Sequence, residues 1–354
     1  MSELLYIATR KSPLALWQAR TTQTLLSEKG LKAELLTIVT TGDKLQHTQL
    51  SSIYLNENNP HHLTTGKGLF IKEVQEALIQ NKAHIAVHSM KDLPVEQTPG
   101  LVIGALLPRA TPNDVLILSP NVLNEIKLDK ESLSELSFET LKKLLLKSII
   151  FKSQPIGTTS SRRQMLMKNI FSKNLNLEIL RGNVDSRLKK VQNNEYAAIL
   201  LAQAGLERLN LFDKNRMIPL PADQFIPATA QGVIAIEYND NNELVVNAIK
   251  QINCSQTCFQ AAIERMVLHS LEGDCNSSIG VHYTNKKITL IYGKGDFETS
   301  LIIQLTEDDL KEIENLWNKS NEIYSHFFSK ILKSQFADRI NKILTQQVLC
   351  LQAQ

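Results

Sequence analysis

Twice along the chain, short β-type apolar runs alternate with segments of helical periodicity. That alternation restricts the fold to a layered α/β architecture with parallel strand pairing. The first series runs Leu4 to Ala8, a helix over Pro13 to Glu28, Ala33 to Thr40, a helix over Gly68 to Gln80, Ile85 to Ser89 and Val102 to Leu107. Pro13 suits a first helical position, where its missing amide donor would be unpaired in any case. Ile71, Val74 and Leu78 recur at helical spacing, with Lys72, Glu73 and Gln75 between them. The second series begins near Asn113: Val115 to Leu118, Ile156 to Gly157, a helix from Ser160, Glu178 to Leu180, a helix from Asn183, and Tyr196 to Ala202. A proline-spaced connector, Pro219 to Pro227, precedes the apolar run Val233 to Ile236, where the chain is expected to re-enter the first lobe. From Cys258 a helix leads to Gly273, followed by strands at Ile279 to Tyr283, Ile288 to Tyr292 and Leu301 to Leu305 and then two helices, an α+β pattern.

Two segments interrupt this order. Asn121 to Ser153, dominated by Lys, Glu, Leu and Ser, is long for a connector and predicts an added peripheral helix. Asp43 to Thr65, rich in Asn, His, Ser and Thr, reads as a mobile loop. The 354 residues are enough for two or three domains, and no apolar run approaches the ~20 residues of a membrane span. The N-terminal apolar stretch ends at Arg10 and Lys11, so no signal peptide and a cytoplasmic location are expected. Four cysteines, Cys254, Cys258, Cys275 and Cys350, form no CxxC pair and are expected as reduced thiols. A net charge of +3 makes the whole-protein field weak, so affinity for anions must come from local clustering.

Such clustering is present at strand ends and helix starts. Arg10 lies between a strand and Pro13, Lys67 precedes the helix from Gly68, and Lys91 follows the strand Ile85 to Ser89. Arg162 and Arg163 open a helix after Gly157, Thr158, Thr159, Ser160 and Ser161, and Arg181 and Arg187 flank Gly182 and Asn183. In open α/β sheets ligands bind beyond the carboxyl ends of strands, where helix N-termini offer free amide donors and partial positive charge. Five such turns with an added arginine or lysine predict a site for several carboxylates or phosphates. Each cation taken singly reads as a solvated surface charge. One carboxylate, Asp92, stands among them. By residue type it reads equally as a cap or ion-pair partner and as an anion that stabilises positive charge developing on a substrate. Cys275, beside Asp274 and near Glu272, reads on residue type as a small packed thiol. His84 and His88 are expected as packed, hydrogen-bonded histidines, and no metal site is expected.

Seven segments in order resemble one family: Ile7-Ala8-Thr9-Arg10-Lys11-Ser12-Pro13-Leu14-Ala15, Gly66-Lys67-Gly68-Leu69-Phe70, His88-Ser89-Met90-Lys91-Asp92-Leu93-Pro94, Gly157-Thr158-Thr159-Ser160-Ser161-Arg162-Arg163, Leu180-Arg181-Gly182-Asn183-Val184, Ala204-Gly205-Leu206 and Leu271-Glu272-Gly273-Asp274-Cys275. They are similar to the porphobilinogen deaminase, or hydroxymethylbilane synthase, family. The resemblance implies a transferase of tetrapyrrole (heme) biosynthesis that joins four porphobilinogens head to tail and releases four ammonia molecules. It implies a dipyrromethane cofactor held by a thioether to Cys275, with Asp92 as catalytic carboxylate. By the same match Lys91, Asp92, Thr158, Ser160, Arg162 and Arg163 would bind the cofactor. Arg10, Ser12, Lys67, Phe70, Arg181 and Arg187 would meet substrate and the growing chain. Each pyrrole brings two carboxylates, which would account for many cations in a nearly neutral protein. A cysteine that captures a strongly electrophilic methylene-pyrrolenine does not need a markedly lowered pKa, so its acidic neighbours are no obstacle.

The implied fold class is α/β: two periplasmic-binding-protein-like lobes plus a small α+β C-terminal domain. Residues 1–110 and 230–250 would form the first lobe, 111–226 the second, and 253–354 the domain carrying the cofactor cysteine. The expected partner is the small-molecule substrate porphobilinogen, with no nucleic acid, no membrane and a monomeric state. Two other readings share some of these features. A two-lobed polyanion-binding protein would use the same lobes, but it needs export and gives Cys275 no task. A nucleic-acid-binding protein would need a basic stripe with interleaved aromatics, which the dispersed cations do not form.

Overall fold

The computed structural model describes residues 4–40, 71–127, 133, 136–240, 242–271, 278–294, 297–320 and 323–349. Its strands are β1 (Leu5–Arg10), β2 (Ala33–Ile38), β3 (Ile85–Ser89), β4 (Leu101–Leu106), β5 (Asp114–Leu118), β6 (Ile156–Gly157), β7 (Leu177–Glu178), β8 (Ala198–Ala202), β9 (Met217–Pro219), β10 (Ile234–Asn239), β11 (Ser278–Thr284), β12 (Lys287–Lys294) and β13 (Phe297–Gln304). Packing divides the chain into two compact units. One comprises Met1–Arg109, Val233–Ile263 and Asp308–Ala337, and the other Ala110–Gly232, Glu264–Glu307 and Asp338–Gln354. The C-terminal strands β11 to β13 belong to the second unit, and the helix Tyr324–Ile331 to the first.

In the first unit the strand order is β2-β1-β3-β10-β4. Neighbouring residues of a strand point to opposite faces, so a strand covered by helices on both sides is apolar throughout. Ile7, Ile85, Val87 and Ile236 pack with Ala19 and Leu26 of the helix Pro13–Glu28 on one face. Ala8 and Ala86 pack with Val74, Ala77 and Leu78 of the helix Lys72–Ile79 on the other. The run Val233 to Ile236 does re-enter the first lobe, as β10 between β3 and β4. It runs antiparallel to both neighbours, against the expectation of parallel pairing throughout. Its chain arrives after the second series and not through a helical crossover from a neighbour, so the crossover rule does not set its direction.

The second unit repeats the pattern as β7-β6-β8-β5-β9, with β5 the antiparallel member. Leu116, Leu118, Ile156, Ala198 and Leu200 face one core, and Val115, Ile117, Ile199 and Leu201 the other. The inserted stretch forms helices Pro120–Glu125, Phe138–Lys147 and Ile149–Ser153. They are less peripheral than expected, because Leu141, Leu145 and Phe151 are fully buried in that first core. The physical reason is legible in the spacing: Leu141 and Leu145 lie four apart, on one helical face, and the lysines fall elsewhere. The loop expected over Asp43 to Thr65 lies outside the described residues, as does the first turn of the helix expected from Gly68.

Candidate active site

Two strand ends position the candidate groups of the first unit. β1 and β3 are parallel neighbours, so Arg10 and the segment after Ser89 leave the sheet at the same edge. Beyond Arg10, Ser12 caps the helix Pro13–Glu28. Its extended backbone lets Oγ accept the Ala15 amide at 3.3 Å, while Thr9 Oγ1 donates to the Ala15 carbonyl at 3.1 Å. Beyond β3 the chain turns through the short 3-10 helix Met90–Asp92. That turn is tied to the sheet from both sides: the Met90 amide donates to Val233 O at 3.0 Å, and Gln18 Nε2 donates to Ser89 Oγ at 2.8 Å. Met90 is fully buried and acts as the anchor, Lys91 is half-buried, and Asp92 is exposed. Among the described residues the Asp92 carboxylate makes no hydrogen bond or ion pair. The cap and ion-pair readings of Asp92 therefore have no counterpart there, and its charge faces solvent.

Both histidines are packed as expected. His84 Nδ1 accepts the Tyr6 amide at 2.9 Å and its ring stacks on Tyr6. His88, on the other face of β3 from Ser89, places Nε2 3.2 Å from a Glu237 carboxylate oxygen. Gln75 Nε2 donates to the second Glu237 oxygen at 2.9 Å, and Thr98 Oγ1 donates to Gln75 Oε1 at 3.0 Å.

In the second unit β6 ends at Gly157, and Thr158 and Ser160 follow. The Ser160 amide donates to Thr158 Oγ1 at 3.2 Å, and Ser160 Oγ caps the helix Ser161–Ile170 by accepting the Arg163 amide at 3.4 Å. Arg162 and Arg163 point inward, 4% and 7% exposed. Both reach Asp114, the fully buried first residue of β5. Arg163 donates from Nε at 3.0 Å and from Nη2 at 2.6 Å to Oδ1, and from Nη1 to Leu200 O at 2.9 Å. Arg162 Nη2 lies 2.8 Å from Oδ2, and its Nη1 donates to Ile226 O at 2.6 Å. Gln231 Nε2 donates to Oδ1 as well, at 3.0 Å. Burial alone would raise the Asp114 pKa, but the Arg162 and Arg163 charges and the hydrogen bonds hold its carboxyl well below the usual carboxylate range. Two guanidiniums against one carboxylate leave this cluster with an excess of one positive charge.

At the neighbouring turn Arg181 is exposed, and Arg187 is held half-buried by its Nε bond to Gly182 O at 2.7 Å. Gly182 has φ of 112°, and a Cβ there would lie 2.3 Å from Ser186 Oγ, so this turn takes only glycine without rearrangement. The segment holding Cys275 lies outside the described residues, as do Lys67, Phe70 and Cys350. Its flanks are described: the helix Ser255–Ser270 before it and β11 after it. Gly280 on β11 abuts the second-unit site. A Cβ there would meet Ile226 O at 2.9 Å and Arg162 Cδ at 3.0 Å. Of the other cysteines, Cys258 is fully buried, and burial pushes its thiol up to about 12, which makes it inert at neutral pH. The residue that sequence reading passed over is Asp114. Its signal was an acid opening the otherwise apolar run Val115 to Leu118.

Each unit thus carries cations at its strand ends in an α/β fold, and in the first, among the described residues, the Asp92 carboxylate is exposed beside them. The chain belongs to the porphobilinogen deaminase family. The family model described as porphobilinogen deaminase, dipyromethane cofactor binding domain, matches residues 5–247. The porphobilinogen deaminase of Sulfurimonas denitrificans is 36% identical over 78% of this chain and 78% of its own length. That of Campylobacter curvus is 33% identical over 98% of this chain and 97% of its own. Among solved structures, the BvgS VFT2 domain of Bordetella pertussis is similar over 70% of this chain and 86% of that chain, at 11% identity and a TM-score of 0.38. Among the described residues no helix is long and apolar enough to cross a membrane.

Proposed function

We infer that this chain carries out the family's transferase reaction, the head-to-tail condensation of four porphobilinogens to hydroxymethylbilane with release of four ammonia molecules. Asp92 is the catalytic carboxylate and Cys275 the attachment point of a dipyrromethane. The observation that carries the reading is the Asp92 carboxylate, rigidly mounted beyond β3, exposed, and uncommitted among the described residues. Loss of ammonia from porphobilinogen leaves a cation delocalised over its pyrrole. A fixed anion beside the pyrrole N–H stabilises charge that exists mainly in the transition state, which raises rate more than it tightens ground-state binding. Half-buried Lys91, next to it, would hold a substrate or cofactor carboxylate, and Arg10 and Ser12, leaving the same sheet edge, would hold others.

The second unit fits a polyanionic cofactor on two grounds. The Arg162 and Arg163 cluster carries one uncompensated positive charge among the described residues, and Thr158 and Ser160 add hydroxyls at the helix N-terminus above it. Gly280, five residues after Cys275, brings the strand that leaves the cysteine segment against the Arg162 side chain. When bound, the dipyrromethane supplies the nucleophilic α-carbon to which units are added. Arg181 and Arg187, at the next turn, would bind carboxylates of the lengthening chain. A monomeric, cytoplasmic enzyme is the state we propose.

Intact mass of the purified protein tests the reading. A covalent two-pyrrole adduct is expected on the parent and on serine variants of Cys254, Cys258 and Cys350, with bare polypeptide mass for Cys275→Ser. An adduct that persists on Cys275→Ser would reject the attachment point. A parent that never carries one would favour a non-catalytic anion-binding protein.

A further inference from the structure

We propose that Asp114 is a positioning residue of the cofactor site, a buried carboxylate that locks Arg162 and Arg163 into one net-cationic fork before any pyrrole carboxylate arrives. The proposal rests on the functional reading above and extends it to a residue that touches neither cofactor nor substrate.

Asp114 has no exposure, and its two oxygens are divided between the arginines: Oδ1 takes Nε and Nη2 of Arg163, and Oδ2 faces Nη2 of Arg162. Each guanidinium is then fixed at a second point by a backbone carbonyl, Leu200 O for Arg163 and Ile226 O for Arg162. Gln231 steadies the carboxylate itself, donating to Oδ1 at 3.0 Å and to Pro112 O at 2.6 Å. A buried charge is costly unless it is paired, and among the described residues only Asp114 offsets the two guanidiniums, which leaves one positive charge available to an incoming anion. Five N–H donors on each arginine exceed the bonds described, so hydrogen-bonding capacity remains for an incoming carboxylate. The shaft of Arg162 is also held in place from outside, since Gly280 leaves room for it and any larger residue would not. A fork fixed in advance avoids ordering two long side chains when the ligand binds.

A carboxylate that positions and one that merely neutralises give opposite signs in one comparison. Arg163→Met leaves Asp114 and Arg162 with a net charge of zero, and adding Asp114→Asn raises it to +1. If Asp114 only neutralised, the second substitution would speed capture of an anionic precursor. If it positions Arg162, capture slows. The measurement uses full-length apoprotein offered preformed hydroxymethylbilane, with adduct formation followed by intact mass and rates normalised to the folded fraction from circular dichroism. The double variant is expected to load at least ~10-fold more slowly than Arg163→Met. Equal or faster loading overturns the proposal. If the variants at position 114 do not fold, Gln231→Leu decides, since it keeps every charge and removes the brace on Oδ1 together with the bond to Pro112 O. Its loading is expected to fall roughly threefold, the equivalent of one hydrogen bond, and loading at the parent rate overturns the proposal. A parent that takes no adduct overturns the functional reading together with this one. A parent that loads, with unaffected variants, overturns the role of Asp114 alone.

Discussion

The turn bearing Lys91 and Asp92 in the first unit and the helix start bearing Arg162 and Arg163 in the second use charged side chains at strand ends in opposite ways. The first presents its carboxylate to solvent, and the rigidity comes from its neighbours, buried Met90 and the Gln18 to Ser89 bond. The second draws its charges into the core and makes them structural members, tied to Asp114 and to two backbone carbonyls. Function and stability should therefore separate cleanly at Asp92 and be inseparable at Arg163. Substitutions at the two places are the direct way to break that contrast.

The largest effect is expected at Arg163. Replacing it with methionine keeps the aliphatic shaft but removes three hydrogen bonds and one of the two cationic partners of a fully buried carboxylate. Breaking a buried pair by deleting one member costs about 3–5 kcal/mol, to be read from the denaturant midpoint. The loss has a pH signature. Asp114 is held below the ordinary carboxylate range, so its contribution to stability is fully present above that range, declines as the unfolded chain takes up the proton there, and is gone once pH falls through the depressed value. The stability gap to Arg163→Met should accordingly be widest near neutral pH and narrow as pH falls below the ordinary carboxylate range. A gap that stays constant from neutral pH to well below that range would contradict the geometry.

Asp92→Asn should do the reverse. The amide keeps size and an acceptor and loses the charge, so turnover should fall at least ~100-fold while stability changes by less than about 0.5 kcal/mol. The variant is to be loaded from hydroxymethylbilane and checked by mass before assay. Turnover within a few-fold of a loaded parent would make Asp92 structural and erase the contrast. A smaller effect sharpens it: Arg187→Leu, on a half-buried arginine whose Nε donates to Gly182 O, should leave cofactor loading intact and slow later additions. Partly elongated chains should then accumulate on the enzyme, visible as a mass ladder. The smallest effect concerns Cys258, where iodoacetamide at pH 8 should label the native protein negligibly and the unfolded protein fully, because burial keeps the thiol protonated.

Much of this was legible before any coordinates. The two βα series, the strands near Ile85, Val115 and Ala198, the helix over Pro13–Glu28 and the return of the chain through Val233 to Ile236 all follow from apolar periodicity and from Pro13. The strand direction of β10 was not, because periodicity reports which faces are buried and says nothing about which way a strand runs. The burial of Leu141 and Leu145 was hidden by composition: a Lys-rich stretch looks solvated until its leucines are placed on one face. At the site, the sequence put cations at the correct turns without telling that Arg181 is exposed while Arg162 and Arg163 are interior.

What the sequence by itself determined is everything that depends on near neighbours: the alternation of strand and helix, the helix starts at Pro13 and after Ser160, the placement of charge at strand ends, and the motif order that marks the family. Only the tertiary structure decided that Asp114 meets two arginines 48 and 49 residues away, and that Glu237 meets His88 across a strand pair. A buried charge is stable only where distant segments converge on it, and that convergence is a property of the packed sheet, which no local spacing encodes.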